Sequence, residues 1–308
     1  MMARFLVLRF GRALLTVLLV ITFAFVILRS SGDPAQLILG PDAPPDALAA
    51  FHRAYGLDQP LPVQFVRYIG AVLHGDLGQS MRDGRPALGL VAARIPATLA
   101  IIVPALLLNL SLGLSAGVLA ALRRGQATDR AIMMGAVAGF TVPSFVLGLA
   151  LVLVFAVWLN WLPSGGSIGW RSLILPVATL SLGGAAILAR FSRSAMLETL
   201  GQPYIRAASA RGAPWRRVVI RHALPNAAIP TVTIVGFMVG GLLAGAVVVE
   251  SVFSWPGLGQ LLVVSVAARD LSVVQCILLL VAATMVAANL AVDLIYGLLD
   301  PRLRHGAR

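Results

Sequence analysis

Six apolar runs, each close to the length of a bilayer crossing, constrain this chain more than any other feature. They span Ala13–Leu28, Pro96–Leu122, Ala131–Trp158, Ser172–Ala189, Ile229–Val249 and Cys276–Leu299. A crossing helix needs about 20 predominantly apolar residues, and in lipid every backbone polar group must be satisfied within the helix. The pattern therefore predicts an all-α polytopic membrane protein with six transmembrane helices and both termini on one side. Composition agrees: 59% of the 308 residues are hydrophobic, against about 45–50% in soluble domains. Pro143 lies inside the third run, which is tolerable where neighbouring helices satisfy the freed groups. The first run follows Arg4, Arg9 and Arg12, as a signal peptide would. What comes after it, Arg29-Ser30-Ser31-Gly32-Asp33-Pro34, lacks a small-x-small cleavage pattern. It reads as a retained helix over 1–28.

The charge pattern orients these helices. All 24 basic residues are arginine and the formal net charge is +12. With the N-terminus inside, the inner segments carry sixteen arginines against three acids (Asp129, Glu198, Asp300), whereas the outer ones carry eight of each. That bias is the positive-inside rule, and it accounts for the arginine excess without nucleic acid. It places both termini and the basic tail 301–308 in the cytoplasm. Trp158, Trp161 and Trp170 cluster at a short outer loop, as an interfacial aromatic belt does. The single cysteine, Cys276, excludes an intrachain disulfide and reads as a small core residue.

Between 198 and 225 the five-helix core 96–300 is interrupted by an arginine-rich polar island. Pro203 suits a helix start and Gly212 a left-handed stop. Pro214 opens a second helix, which Pro225 ends or kinks. In it Trp215, Val218, Val219 and His222 fall at i, i+3, i+4, i+7 and share one face, with Arg216, Arg217 and Arg221 largely away from it. A plain solvated loop would not need such orderly punctuation. A DNA-binding helix-turn-helix has similar parts, but hydrophobic spans clamp this segment on both sides. A coupling element that docks on a soluble partner fits best.

Residues 29–95 balance six arginines with six aspartates and read as a small extracytoplasmic domain between helices 1 and 2. Ala47–Tyr55 and Leu61–Leu73 are short amphipathic helices there, and Gly75–Gly78 is a turn. His52 and His74 are 22 residues apart, which is no metal signature. Glu250 and Asp293 are ionisable near the membrane and candidates by default, although their places at span ends favour interfacial solvation. Gly236, Gly240, Gly241 and Gly245 form a small-xxx-small surface for helix packing. Val249 to Gly259, with Trp255, Pro256, Gly257 and Gly259, reads as a turned segment dipping toward the pore, with a positive φ expected at Gly257.

Several of these strings resemble one family. Arg206-Ala207-Ala208, Gly212-Ala213, Trp215 and Leu224-Pro225 resemble the EAA loop of ABC-transporter permeases, with Arg206 where the general pattern has glutamate. Gly32-Asp33-Pro34, Tyr55-Gly56-Leu57-Asp58, Gly75-Asp76-Leu77-Gly78 and the 249–259 string are similar to the dipeptide/oligopeptide/nickel permeases of binding-protein-dependent importers. The resemblance implies a type I importer permease in the bacterial inner membrane, not an enzyme. Its cargo would be peptides, with nickel complexes or glutathione as alternatives. It also implies a second homologous permease, two ATPase subunits holding ATP and Mg, and an extracytoplasmic binding protein. The named EAA-loop residues would couple to the ATPases, and Glu250, Trp255, Pro256, Gly257 and Gly259 would line or gate the path. No G-x-x-x-x-G-K-[ST] loop is present to bind nucleotide in this chain. A self-sufficient secondary transporter would show mid-membrane ionisable residues and inverted repeats, and neither is visible. A structural or assembly protein would not need the ordered helix pair.

Overall fold

The computed structural model describes residues 2–30 and 32–299, without the side chains of 2–8, 233 and 292–299. Asp293, Asp300 and the tail 301–308 therefore lie outside the described side chains or residues. The described chain is helical, with no strand among its elements: α1 (Met2–Ser30), α2 (Pro34–Leu39), α3 (Pro45–Ala54), α4 (Leu61–Leu73), α5 (Ala87–Leu122), α6 (Ala127–Thr141), α7 (Ser144–Leu151), α8 (Arg171–Leu200), α9 (Pro203–Ala210), α10 (Trp215–Val218), α11 (Leu224–Val252), α12 (Leu258–Ala267) and α13 (Leu271–Leu299). Among the described residues, five helices are long and apolar enough to cross a membrane, and the bent pair Ala127–Thr141 and Ser144–Trp158 makes a sixth if counted as one span.

That sixth span is not the continuous helix its apolar run suggests. It is bent by 102° at the break between Thr141 and Ser144. Proline disfavours a helical conformation in the residue before it, and Val142 is extended (φ −77°, ψ 121°) ahead of Pro143. After α7 the chain winds as a π-helix over Val152–Trp158. Trp158, Trp161 and Trp170 are all more than 60% exposed, the disposition expected of belt residues.

The fourth span also differs from expectation. The apolar run ends at Ala189, yet α8 continues to Leu200. At 1.5 Å per residue its 30 residues extend about 45 Å, well beyond a hydrocarbon core of about 30 Å. Its polar last turns are helical because α8 is clasped there by other elements, as described below.

Compact unit 1 comprises residues up to Thr98 together with Pro256–Ala287. Phe25 of α1 stacks on Tyr68 (5.8 Å) and meets Phe65 edge-on (5.2 Å), both from α4. Asp33 caps α2 through the Ala35 N–H and lies 2.9 Å from His52 Nε2. The Arg269 guanidinium packs on Gly32 (φ +112°) and donates to the Asp33 carbonyl. Buried Asp270 accepts the Ser80 hydroxyl and the Met81 N–H. An apolar core of Ala87, Val91, Leu258, Val273, Cys276 and Ile277 lies beside this polar layer. Sequence-distant segments, 32–33 and 78–91 on one hand and 258–277 on the other, thus form one body.

Unit 2, Leu99–Trp255 with Ala288 onward, is built on α8. Fifteen of its residues are buried, many of them Ala, Ser or Thr. The closest approach is to α5. A Cβ on Gly117 would lie 2.5 Å from the Ala189 carbonyl oxygen, and one on Gly113 would lie 2.7 Å from Leu188 Cβ. Fully buried Asn109 completes this seam by packing on Gly184. Residues 109, 113 and 117 are four apart and share a helix face, the small-residue geometry that brings membrane helices together. In α11, Gly245 fills the expected packing role, meeting Leu180, while Gly241 faces open space.

Candidate functional site

The polar island forms a helix, a turn and a second helix, all resting on the end of α8. α9 begins with Pro203 and is closed by Gly212 at φ +79°. The Gly212 N–H reaches the Ser209 carbonyl (3.0 Å) and the Ala213 N–H reaches that of Ala208 (3.3 Å). These two bonds define a Schellman stop, which glycine satisfies at no steric cost. Pro214 then precedes α10 in extended backbone.

The second helix departs from a simple 3.6-residue period. A π-helical turn occupies Val219–Ala223, and α11 starts at Leu224 with Pro225 in its first turn. Pro225 therefore does not end the helix. Proline removes a donor and clashes with the carbonyl four residues back, and a π-turn is a usual way to absorb such a defect. The His222 carbonyl accepts a hydrogen bond from Asn226 Nδ2 (2.7 Å). The extra residue rotates the buried face, so that it runs Val218, Val219, Ala223, Ala227. Trp215, expected on that face, is 56% exposed instead.

The buried face is a core shared with the two long helices. Ile205, Ala208, Val218, Val219, Ala223 and Ala227 pack with Ala195 and Met196 of α8 and Ala121 of α5, and Ala213 and Leu224 pack at its edge. Opposite that core, Arg206, Ala207, Arg211, Gly212, Arg216, Arg217, Arg221 and Pro225 are exposed, with Tyr204, Trp215 and Ile220 among them. Exposed Trp, Tyr and Arg on a rigid, small-residue scaffold are the composition of an interface hot spot.

A second cluster lies where α11 ends. Glu250 is fully buried, which overturns its expected solvation at the membrane surface. Its carbonyl accepts the Trp255 N–H at 2.8 Å across a turn held by Ser254 at φ +49°. Trp255 is buried, as is Phe253, whose carbonyl oxygen receives the Gly166 N–H (2.9 Å). A Cβ on Gly148 of α7 would touch the Phe253 ring at 3.3 Å. From Pro256 onward the chain belongs to the other unit. There Arg94 donates to the Pro256 carbonyl (3.2 Å), and the Leu258 N–H donates to Thr98 Oγ1 (2.7 Å). Gly257 caps α12 with φ −100° and ψ −169°, so the left-handed residue of this segment is Ser254. Gly257 and Gly259 are buried, and the extended backbone at Gly257 does not require glycine.

Residues 2–112 match the family model described as "Binding-prot-dependent transport system membrane comp, N-term", and residues 113–305 match "Binding-protein-dependent transport system inner membrane component". The chain belongs to this family. Among curated relatives, the glutathione transport system permease protein GsiC of Salmonella paratyphi A is 43% identical over 291 residues, covering 94% of this chain and 95% of that protein. The GsiC protein of Escherichia coli K12 is 42% identical over 286 residues, 93% of each chain. Among solved structures, the inward-facing MetNI methionine ABC transporter matches with a TM-score of 0.59 at 22% identity, over 70% of this chain and 98% of the other. The protein is thus a permease subunit of a binding-protein-dependent ABC importer of the peptide, glutathione and nickel type, multi-pass in the inner membrane. Its task in the importer is transport, as in these permease relatives.

The permease's sequence-predicted site residues form two separate groups within the fold. Arg206, Ala207, Ala208, Gly212, Ala213, Trp215, Leu224 and Pro225 belong to the island, and Glu250 and Trp255 to the turn after α11. Two features were missed by sequence reading. One is the glycine seam at 113 and 117, hidden in a run that looks uniformly apolar. The other is an ion pair between Asp129 of α6 and Arg193 of α8, 64 residues apart; only their being charged at span ends singled them out.

Proposed function

We propose that this permease forms half of the translocation pathway for short peptides, glutathione among them, delivered by an extracytoplasmic binding protein. The support is the 43% identity to GsiC permeases across nearly the whole chain. Glutathione is itself a tripeptide, so peptide and glutathione cargo share backbone amides and terminal charges. A second, homologous permease completes the pathway. Two ATPase subunits, holding ATP and Mg, dock on the island through Trp215, the exposed arginines and the Gly212 turn. Both termini and the island lie in the cytoplasm, consistent with sixteen arginines against three acids on that side. Residues 29–95 form the extracytoplasmic domain. Closure of the ATPases drives alternating access by moving the island, and the 250–259 segment, with buried Glu250 and Trp255, gates the path.

Uptake in a strain lacking this chain tests the cargo. Accumulation of labelled glutathione and of a labelled dipeptide is expected to fall about tenfold or more, and to return with the chain in place. Unimpaired uptake of both, with loss of nickel-complex uptake, would overturn the assignment.

A further inference from the structure

Asp129 is 4% exposed and receives three hydrogen bonds. Arg193 Nε and Nη2 donate to its two oxygens at 2.6 and 2.8 Å, and the Gly125 N–H donates at 2.9 Å. A bidentate guanidinium–carboxylate pair fixes orientation as well as charge. Its position is what gives it meaning. Arg193 lies just before Ala195 and Met196, the α8 residues that share a core with the island. Asp129 lies in the first turn of α6, directly after the turn that leaves α5, and Ala121 before that turn packs in the same core.

Beyond the pair, α6 and α8 stay packed together through small residues and a cation–π contact. A Cβ on Gly139 would lie 3.3 Å from that of Ala186, and the Arg190 guanidinium lies over the Phe140 ring at 5.8 Å. Among the described residues, the ion pair supplies the only side-chain hydrogen bonds between α6 and α8, and its fork geometry makes it the directional tie in an otherwise apolar and cation–π contact. Past the 102° bend α6 leads to α7, whose Gly148 packs on Phe253, Thr179 and Val252. A contiguous route thus runs from the island core through α8, the ion pair, α6 and α7 to the turn that follows Glu250.

We infer that Asp129 and Arg193 are positioning residues that couple island displacement to the α6–α7 arm, so that hydrolysis without them is poorly converted to transport. The inference rests on the island being the ATPase-docking site. It is distinguishable from that reading, because loss of docking removes the ATPases whereas loss of this tie leaves them bound.

The test uses the complete importer in proteoliposomes with its binding protein, and reads substrate moved per ATP hydrolysed. Asp129→Asn and Arg193→Gln are expected to retain the ATPase subunits while this ratio falls about tenfold. Arg193→Lys keeps the charge but loses the planar fork, and should lower the ratio about threefold with normal assembly. The reversed pair, Asp129→Arg with Arg193→Asp, should recover a large part of the ratio lost by either single variant. An unchanged ratio in assembled Asp129→Asn and Arg193→Lys complexes would overturn the inference. So would reduced assembly in the single variants with a parental ratio in the complexes that do form, which is the signature of a purely structural pair.

Discussion

Gly212→Val is expected to insert normally while lowering the affinity of the ATPase subunits for the permease about 5- to 150-fold. Gly212 closes α9 at φ +79°, a backbone conformation that a β-branched residue adopts only with strain. No neighbouring atom lies within 4 Å of the position a Cβ would take, so the effect does not come from a clash inside the chain. It comes from the turn. Holding valine in that conformation costs about 1–3 kcal/mol, and relaxing it breaks the two bonds that set α9 against Pro214 and Trp215. If docking requires the present turn, the strain is subtracted from binding at about 1.4 kcal/mol per decade. ATPase subunits retained on purification measure the outcome. Retention at the parental level with parental uptake would show that the island does not dock them.

Gly117→Leu is expected to act earlier, on assembly of the permease itself. A Cβ at this position meets the Ala189 carbonyl oxygen at 2.5 Å, Ser192 Cβ at 2.6 Å and the Arg193 amide nitrogen at 3.0 Å. Two of these are backbone atoms, which cannot rotate away. Overpacking of this kind costs about 1–3 kcal/mol, more where backbone must shift, and lipid supplies no hydrophobic force to press the helices back together. Membrane levels of the variant are expected to fall at least about tenfold. Gly135→Leu, in α6 with open space around it, should remain at the parental level. Equal levels for both variants would mean that the α5–α8 seam does not hold this unit together.

The helical class and the positions of the spans were legible in the sequence because bilayer thickness imposes a length that composition reveals directly. α4 falls on the expected Leu61–Leu73 and the Gly212 stop on its expected residue, since both depend on local chemistry. What remained hidden depends on pairing. An apolar run has the same appearance whether it faces lipid or protein, so Gly113 and Gly117 did not stand apart from their neighbours. The glycines of the fifth run did stand apart, yet among them Gly241 faces open space. Pro143 was visible, but whether a proline is absorbed or bends a helix by 102° depends on what packs around it. The π-turn at 219–223 follows from Pro225 only once the chain is known to continue as a helix, and it is this turn that puts Ala223 rather than His222 on the buried face. Glu250 was placed at the interface from its distance along a span. It is buried, and the chain turns directly after it, with the Trp255 N–H on its carbonyl.

Docking of ATPase subunits on the island is the claim on which the mechanism rests, and a photo-crosslinking residue in place of Trp215 tests it most directly. Trp215 is exposed and anchored by the buried Val218 and Val219 beside it, so a probe there samples a defined surface. In the intact importer, irradiation is expected to join this chain to an ATPase subunit, while the same probe at Asp46 gives no such adduct. An ATPase adduct from position 46 with none from position 215 would contradict the docking site and the orientation of the chain together.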